Sequence, residues 1–178
     1  VTGITAGTSV ITYTLGTGCL TTTIITVNPL PAAITGITAV CVGNTTTLSS
    51  TTAGGTWSSS NTAVATVGSL SGIVSGISSG TAVISYTLST GCLVTTTVLV
   101  NPLPSPITGI TSVCAGSTTT LFSTGGGLWT SSNTAVATVG SVSGIATGVS
   151  AGTAVITYTL GTGCFTTTII TVNPLPGA

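Results

Sequence analysis

Thr81-Ala82-Val83-Ile84-Ser85-Tyr86-Thr87-Leu88 is the stretch on which the fold turns. It alternates strictly. Ala82, Ile84, Tyr86 and Leu88 share one face of an extended strand, and Thr81, Val83, Ser85 and Thr87 share the other. Ser89-Thr90-Gly91 follows as a turn, and a second β-rich run occupies 92–100. Together they read as a hairpin with one face toward a core. In its second strand Val98 and Val100 correspond to Ile25 and Val27 before and to Ile170 and Val172 after. These positions stay apolar in each copy and are expected to face inward. The intervening positions, Ile24, Thr97 and Ile169, and Thr26, Leu99 and Thr171, exchange polar for apolar and are expected to face outward.

Those correspondences come from an internal repeat. Asn-Pro-Leu-Pro stands at 28–31, 101–104 and 173–176, at steps of 73 and 72 residues. Cys19, Cys92 and Cys164 keep these steps; Cys41 and Cys114 keep the first, and Trp57 and Trp129 the second. The ten residues from Ser59 to Gly68 recur unchanged from Ser131 to Gly140. Residues 1–31 therefore read as the C-terminal part of one repeat, 32–104 as a complete repeat, and 105–178 as a second complete repeat with its linker. A unit of this length is long enough for its own core. The chain opens on Val1 inside a repeat, without Met or a leader, and is expected to be an excerpt of something longer.

The sequence contains no Asp, Glu, Lys, Arg or His. An average soluble domain is about a quarter charged. Acid–base catalysis draws on those side chains, and Ser or Cys without a base is a poor nucleophile. The chain is thus not expected to be an enzyme. It lacks carboxylates for calcium or magnesium and imidazole for zinc, so no metal or other cofactor is expected. Without basic residues it is not expected to bind nucleic acid. Thr, Ser and Gly interrupt every apolar run, so no membrane span is expected.

Thr, Val and Ile dominate within a repeat, with Gly, Pro, Asn and Ser as punctuation, and no helical period is present. Strands are expected near 34–42, 45–50, 55–59, 63–67, 72–75, 81–89 and 92–100. About seven short strands in 73 residues is the pattern of a β-sandwich. Trp57 and Trp129 are assigned to its core, with Tyr86 and Tyr158. A Trp in a sandwich strand is far more often core than a platform for sugar rings.

The segment Gly55-Thr56-Trp57-Ser58-Ser59-Ser60-Asn61-Thr62-Ala63-Val64-Ala65-Thr66-Val67 resembles the heart of the bacterial immunoglobulin-like domain, group 2. There a Thr-Trp-x-Ser-Ser-Asn segment precedes Val-Ala-x-Val, and a Gly-x-Val-x-Gly turn leads into Gly-Thr-Ala-x-Ile. Gly72-Ile73-Val74-Ser75-Gly76 and Gly80-Thr81-Ala82-Val83-Ile84 supply both later elements. The same set returns between Trp129 and Ile156. The added Val-Cys-x-Gly and Gly-Cys segments, with Asn-Pro-Leu-Pro linkers, resemble tandem repeats of giant Bacteroidetes surface proteins. The resemblance implies an all-β fold of tandem immunoglobulin-like sandwich repeats and a bacterial, extracellular or cell-surface location. Calcium binding, which some relatives perform through acidic residues, does not transfer to this chain.

The five cysteines have no metal-type spacing and read as disulfide formers in an oxidising compartment. Cys41 and Cys114 lie near the first corner of a repeat, and Cys19, Cys92 and Cys164 after its last hairpin turn. Pairing within a repeat would join Cys41 to Cys92 and Cys114 to Cys164. Immunoglobulin-like topology puts those positions about 30 Å apart along the strands, whereas a disulfide needs Cα atoms within about 7 Å. Pairing between repeats, Cys41 with Cys164, is therefore favoured, with Cys19, Cys92 and Cys114 taking partners from further repeats.

Thr runs at 21–23, 45–47, 95–97 and 166–168 fit solvent-facing strands, given the β propensity of Thr. Their hydroxyls also offer sites for O-glycans or, less favoured, a flat ice-binding array. Asn44-Thr45-Thr46 matches an N-glycosylation acceptor, but its counterpart Gly116-Ser117-Thr118 does not, which favours coincidence. Edge strands lack the Lys that normally guards them, so self-association into a filament or sheet is expected. The functional expectation is an extracellular structural repeat protein, a segment of a fibre, filament or stalk. The alternative is an adhesin that recognises glycans or ice.

The missing charges give a direct prediction. The side chains that ionise between about pH 3 and 7 are absent, so proton linkage contributes almost nothing to stability there. The thermal midpoint should stay within a few degrees from pH 3 to pH 7. A fall of tens of degrees in calorimetry would contradict this. Trypsin should leave even the unfolded chain intact.

Overall fold

A computed structural model describes residues 1–176. The chain divides into two compact units, Val1–Val100 and Asn101–Ala178. Among the described residues every regular element is a β-strand.

The first unit begins with a two-stranded antiparallel sheet, β1 (Gly7–Thr14) and β2 (Leu20–Val27). A sandwich follows. Its strands are β3 (Thr35–Gly36), β4 (Ala39–Cys41), β5 (Thr45–Ser49), β6 (Thr56–Ser59), β7 (Ala65–Val67), β8 (Ile73–Gly76), β9 (Gly80–Thr87) and β10 (Leu93–Asn101). One sheet has the order β4-β10-β9-β6 and the other β3-β5-β8-β7. The closing hairpin β9–β10 sits mid-sheet, with Ile84 opposite Thr96 and Ala82 opposite Val98. Its turn is closed by hydrogen bonds from the Leu88 N–H to the Cys92 carbonyl and from the Gly91 N–H to the Leu88 carbonyl, each 2.9 Å.

The second unit repeats the plan. Its strands are β11 (Ser112–Cys114), β12 (Thr118–Thr120), β13 (Leu128–Ser131), β14 (Ala137–Val139), β15 (Ile145–Gly148), β16 (Gly152–Thr159) and β17 (Phe165–Asn173). The sheets run β11-β17-β16-β13 and β12-β15-β14. A single bridge between Thr108 and Phe122 stands where the first unit has β3.

The expected strand 34–42 is in fact two, in different sheets. Thr35 and Gly36 pair with Ser49 and Leu48 of β5. By Thr38 the chain has crossed over, and the Thr38 carbonyl accepts from the Leu99 N–H of β10 at 2.8 Å. Gly36 makes the crossing, at φ +125°. A Cβ there would collide with the Thr47 carbonyl oxygen, so both the angle and the space call for glycine. Gly109, at φ +118°, holds the same place in the second unit. The expected strand 63–67 begins later, at Ala65, because 61–64 form a turn. There the Asn61 Oδ1 accepts from the Ala63 N–H at 3.2 Å and the Asn61 carbonyl accepts from the Ala65 N–H at 3.0 Å.

Each sandwich buries one cluster. In the first it comprises Val40, Leu48, Trp57, Ala65, Val74, Ala82, Ile84, Tyr86, Val98 and Val100. The second repeats it position for position, with Ala146 for Val74 and Ile170 for Val98: Val113, Leu121, Trp129, Ala137, Ala146, Ala154, Ile156, Tyr158, Ile170 and Val172. Trp57 and Tyr86 face each other across β6 and β9, with ring centroids 4.7 Å apart; Trp129 and Tyr158 are 4.6 Å apart. The Tyr86 hydroxyl donates to the Thr52 carbonyl at 2.7 Å and accepts from the Gly55 N–H at 2.9 Å. It thus ties the loop before β6 to the core.

The two-stranded sheet β1–β2 carries the same face but is much more open. Tyr13, the counterpart of Tyr86, is 66 % exposed against 6 %. Ile25 and Val27 are only half-buried, whereas Val98 and Val100 are buried. Among the described residues β1 and β2 pair only with each other.

Two substitutions test this core. Trp57→Ala should cost about 3–5 kcal/mol, as expected for a large buried aromatic. Tyr86→Phe keeps the ring but strands the Gly55 N–H and the Thr52 carbonyl, at a cost of about 1–3 kcal/mol. Urea denaturation followed by Trp fluorescence measures both. A neutral Tyr86→Phe would show that the hydroxyl does not anchor the loop.

Candidate functional site

Chemistry in this chain is confined to hydroxyls, backbone amides and thiols. Among the described residues no three potential metal ligands come together. An open cleft of about 380 Å³ lies over Trp57 and Tyr86, walled by Leu48, Thr52, Gly55 and Leu70. Its one titratable side chain is Tyr86, whose hydroxyl is already occupied by two hydrogen bonds. Trp57 and Trp129 are 7 % and 5 % exposed and offer no stacking platform.

The thiols are the distinctive feature, and strand register places them at opposite ends of a sandwich. β11 runs parallel to β17, with Cys114 alongside Asn173. The Ala115 N–H donates to the Asn173 carbonyl at 2.9 Å. Cys164 immediately precedes Phe165, where β17 begins. The whole nine-residue strand separates them, roughly 30 Å at about 3.3 Å per residue. Pairing Cys114 with Cys164 within the repeat is therefore out of reach of a disulfide. In the first unit β4 likewise lines the end of β10, and Cys92 precedes its beginning. We call the end holding Cys41 or Cys114 the exit pole and the end holding Cys92 or Cys164 the hairpin pole.

The redox states differ. Cys41 and Cys164 are disulfide-bonded. Cys19, Cys92 and Cys114 are free thiols, Cys19 and Cys114 exposed and Cys92 half-buried. Because Cys92 and Cys114 are free, the within-repeat pairs Cys41–Cys92 and Cys114–Cys164 are not formed. Cys92 has one further contact, which sequence reasoning did not foresee. Its Sγ donates to the Asn28 carbonyl at 3.8 Å. Asn28 follows β2 and is the counterpart of Asn101 and Asn173. Within the first unit the turn that holds Cys92 therefore lies against the residue that follows β2.

The outer surface of the closing hairpin is a second feature. Thr81, Val83, Thr95, Thr97 and Leu99 point away from the core, as do Thr153, Val155, Thr167, Ile169 and Thr171. Ile24 and Ile169, assigned outward from their exchange with Thr97, are exposed. Phe122 and Phe165 are exposed as well; Phe165 keeps the outward phase of Thr167, Ile169 and Thr171 along β17, whereas Phe122 lies in an isolated bridge outside the strands. Asn44 lies in an exposed turn, where its N–H donates to the Cys41 carbonyl at 3.0 Å.

No model of a known protein family matches the chain. No curated protein matches it either. Among solved structures it is similar to the C-terminal 282-residue fragment of intimin, solved in complex with the intimin-binding domain of the translocated intimin receptor. There the TM-score is 0.51 at 16 % identity, over 82 % of this chain and 65 % of that one. It is also similar to domains 1–6 of the surface layer protein SbsC, with TM-score 0.37 and 21 % identity over 97 % of this chain and 35 % of that one. Murine CEACAM1b gives 0.34 and 12 % over 80 % and 100 %. The chain spans less than two thirds of the intimin fragment and about a third of the SbsC structure.

Thiol counting checks the cysteine assignment. The unreduced chain, unfolded in denaturant, should titrate three thiols, Cys19, Cys92 and Cys114, and the reduced chain five. One or five thiols without reductant would contradict it. Together the sheet orders and the likeness to the intimin fragment fix the architecture: this is an all-β chain of two immunoglobulin-like sandwich repeats.

Proposed function

We propose that the chain is a segment of an extracellular structural protein of a bacterium, a fibre, filament or cell-surface stalk, in which each immunoglobulin-like repeat is stapled to the next by a disulfide. Its divisions are 1–31, 32–104 and 105–178, and its repeats are of the bacterial group 2 type that the sequence resembles. The staple joins the exit-pole cysteine of one repeat to the hairpin-pole cysteine of the following one, here Cys41 to Cys164.

One observation carries this reading. Each complete repeat keeps its two cysteines a strand length apart, so neither can close on the other. Only a neighbour can supply the partner. The oxidised state of Cys41 and Cys164 supports it, and disulfides persist outside the reducing cytosol. A covalent joint also suits a chain that has no ion pairs with which to bind its neighbours. A mechanical role asks for nothing the composition lacks: no base, no metal and no phosphate ligand. The adhesin alternative needs aromatic side chains on the surface for sugars, and the burial of both tryptophans weighs against it.

Non-reducing digestion at aromatic residues tests the staple. The segment from Thr159 to Phe165 should remain joined to the segment from Thr14 to Trp57, with tandem mass spectra placing the bond on Cys41. Recovery of Cys164 bound to Cys114 would sink the proposal. Electron microscopy of the native material should show filaments with an axial repeat of about 40 Å, the length of a nine- or ten-residue strand plus its linker. Dispersed, freely hinged beads would point to the adhesin.

A further inference from the structure

Trp57 is only 7 % exposed, with its ring against Tyr86. Among the described residues its indole N–H has no hydrogen-bond partner, and no buried side-chain nitrogen or oxygen there lacks one. The indole nitrogen is therefore where this side chain reaches the surface. Trp57 lines the open cleft of about 380 Å³ together with Leu48, Leu70 and Ser71. Its indole edge lies beside the same rim, since a Cβ on Gly72 would stand 3.2 Å from Nε1. Trp129 repeats the unpartnered donor beside Gly144, at 5 % exposure.

The walls of the cleft are fixed. The Tyr86 hydroxyl fastens Thr52 and Gly55. The Ser50 Oγ donates to the Ala32 carbonyl at 3.0 Å, and the Ala32 N–H donates to the Thr52 Oγ1 at 2.9 Å. A rigid cleft loses little freedom when it is filled. It holds one unpaired donor, apolar walls and no charge, which suits a neutral acceptor carried on an apolar side chain.

The chain carries that complement in its linkers. In Asn28-Pro29-Leu30-Pro31 the Leu30 side chain is exposed and does not line its own chain's cleft. Among the described residues nothing donates to the Pro29 or Leu30 carbonyl. The prolines fix φ and remove two N–H groups, which leaves an extended segment rich in free acceptors. Grooves lined by aromatic residues take such segments at low entropic cost. Trp57 and Trp129 are 72 residues apart, as are the linkers that begin at Asn101 and Asn173.

We propose that the cleft over Trp57 is a docking site for the Pro-Leu-Pro linker of a second copy of this chain. The linker's leucine packs against Leu48 and Leu70, and a linker carbonyl accepts from the Trp57 indole N–H. The ring edge does the binding, so the burial of the ring face is no obstacle. No cysteine takes part, so the contact is independent of the staple and adds side-to-side association to it. A contact of this kind is weak singly and gains by repetition along two chains.

The test uses the whole 178-residue chain, labelled with nitrogen-15 at its indoles, and a blocked peptide of residues 27–31 as probe. Trp57→Phe identifies the Trp57 indole signal by its loss. In the unsubstituted chain that signal should move downfield and saturate as peptide is added. The peptide with Leu30→Ser should bind about tenfold more weakly. An unmoved Trp57 signal overturns the proposal, and so do equal affinities of the two peptides. Sedimentation then reads the occupant. Association of the chain should rise with concentration, and it should fall on addition of the peptide or when Leu30→Ser, Leu103→Ser and Leu175→Ser are combined. All three leucines are exposed, so the fold survives their replacement. A chain that stays monomeric, or whose association neither change reduces, overturns the second copy as the occupant.

Discussion

Each repeat depends on the inner face of its closing hairpin. Ala82, Ile84 and Tyr86 on one strand and Val98 and Val100 on the other supply half of the first core cluster. They hold two sheets together in a chain that has no side-chain charge to contribute. Apolar burial is nearly all it has, at about 25 cal/mol per Å². β1–β2 displays the same face without a second sheet over it among the described residues, and its Ile11 and Tyr13 stand exposed. The comparison shows what the opposite sheet does: it covers, residue for residue, what the hairpin by itself leaves open.

With charges absent, small hydroxyls finish the loops. Ser59 Oγ donates to the Ala65 carbonyl at 2.7 Å and Ser78 Oγ to the Ala63 carbonyl at 2.7 Å. Ser131 and Ser150 repeat both bonds in the second unit. Among the described residues no buried side-chain nitrogen or oxygen lacks a partner. These bonds are local and neutral, so salt does not screen them. They explain why the segment from Ser59 to Gly68 recurs unchanged: each Ser and Asn there has a backbone group to satisfy, and a substitution would leave a carbonyl or amide unpaired.

Strand alternation and the repeat carried most of the architecture into the sequence. The period of two located the closing hairpin and its two faces, and the exchange of Ile24, Thr97 and Ile169 marked the outer surface. The sequence did not reveal the split of the first strand. Local pattern runs straight through Gly36, and only the positions of β5 and β10 in space decide where the chain changes sheets. The cysteines divide the same way. Their spacing put them at different ends of a repeat, a matter of strand length. The contact of Cys92 with Asn28 depends on how one closing strand meets the next hairpin, and no residue pattern encodes that.

The sheet change at Gly36 and Gly109 also bears on how near-identical repeats avoid exchanging strands, a known hazard of tandem copies. The exit-pole cysteine reaches the end of the closing strand only after the chain has crossed from one sheet to the other and paired in parallel, as Cys114 does beside Asn173. A repeat that has not made the crossing leaves that cysteine elsewhere. The hairpin-pole cysteine, in turn, is in place only when the closing turn has formed. Under the proposed pairing a staple closes only between two poles that are both correctly built. Covalent bonding then follows folding rather than competing with it, and the first strand's detour between sheets, the one feature the sequence pattern obscures, is what makes the lock conditional on the fold.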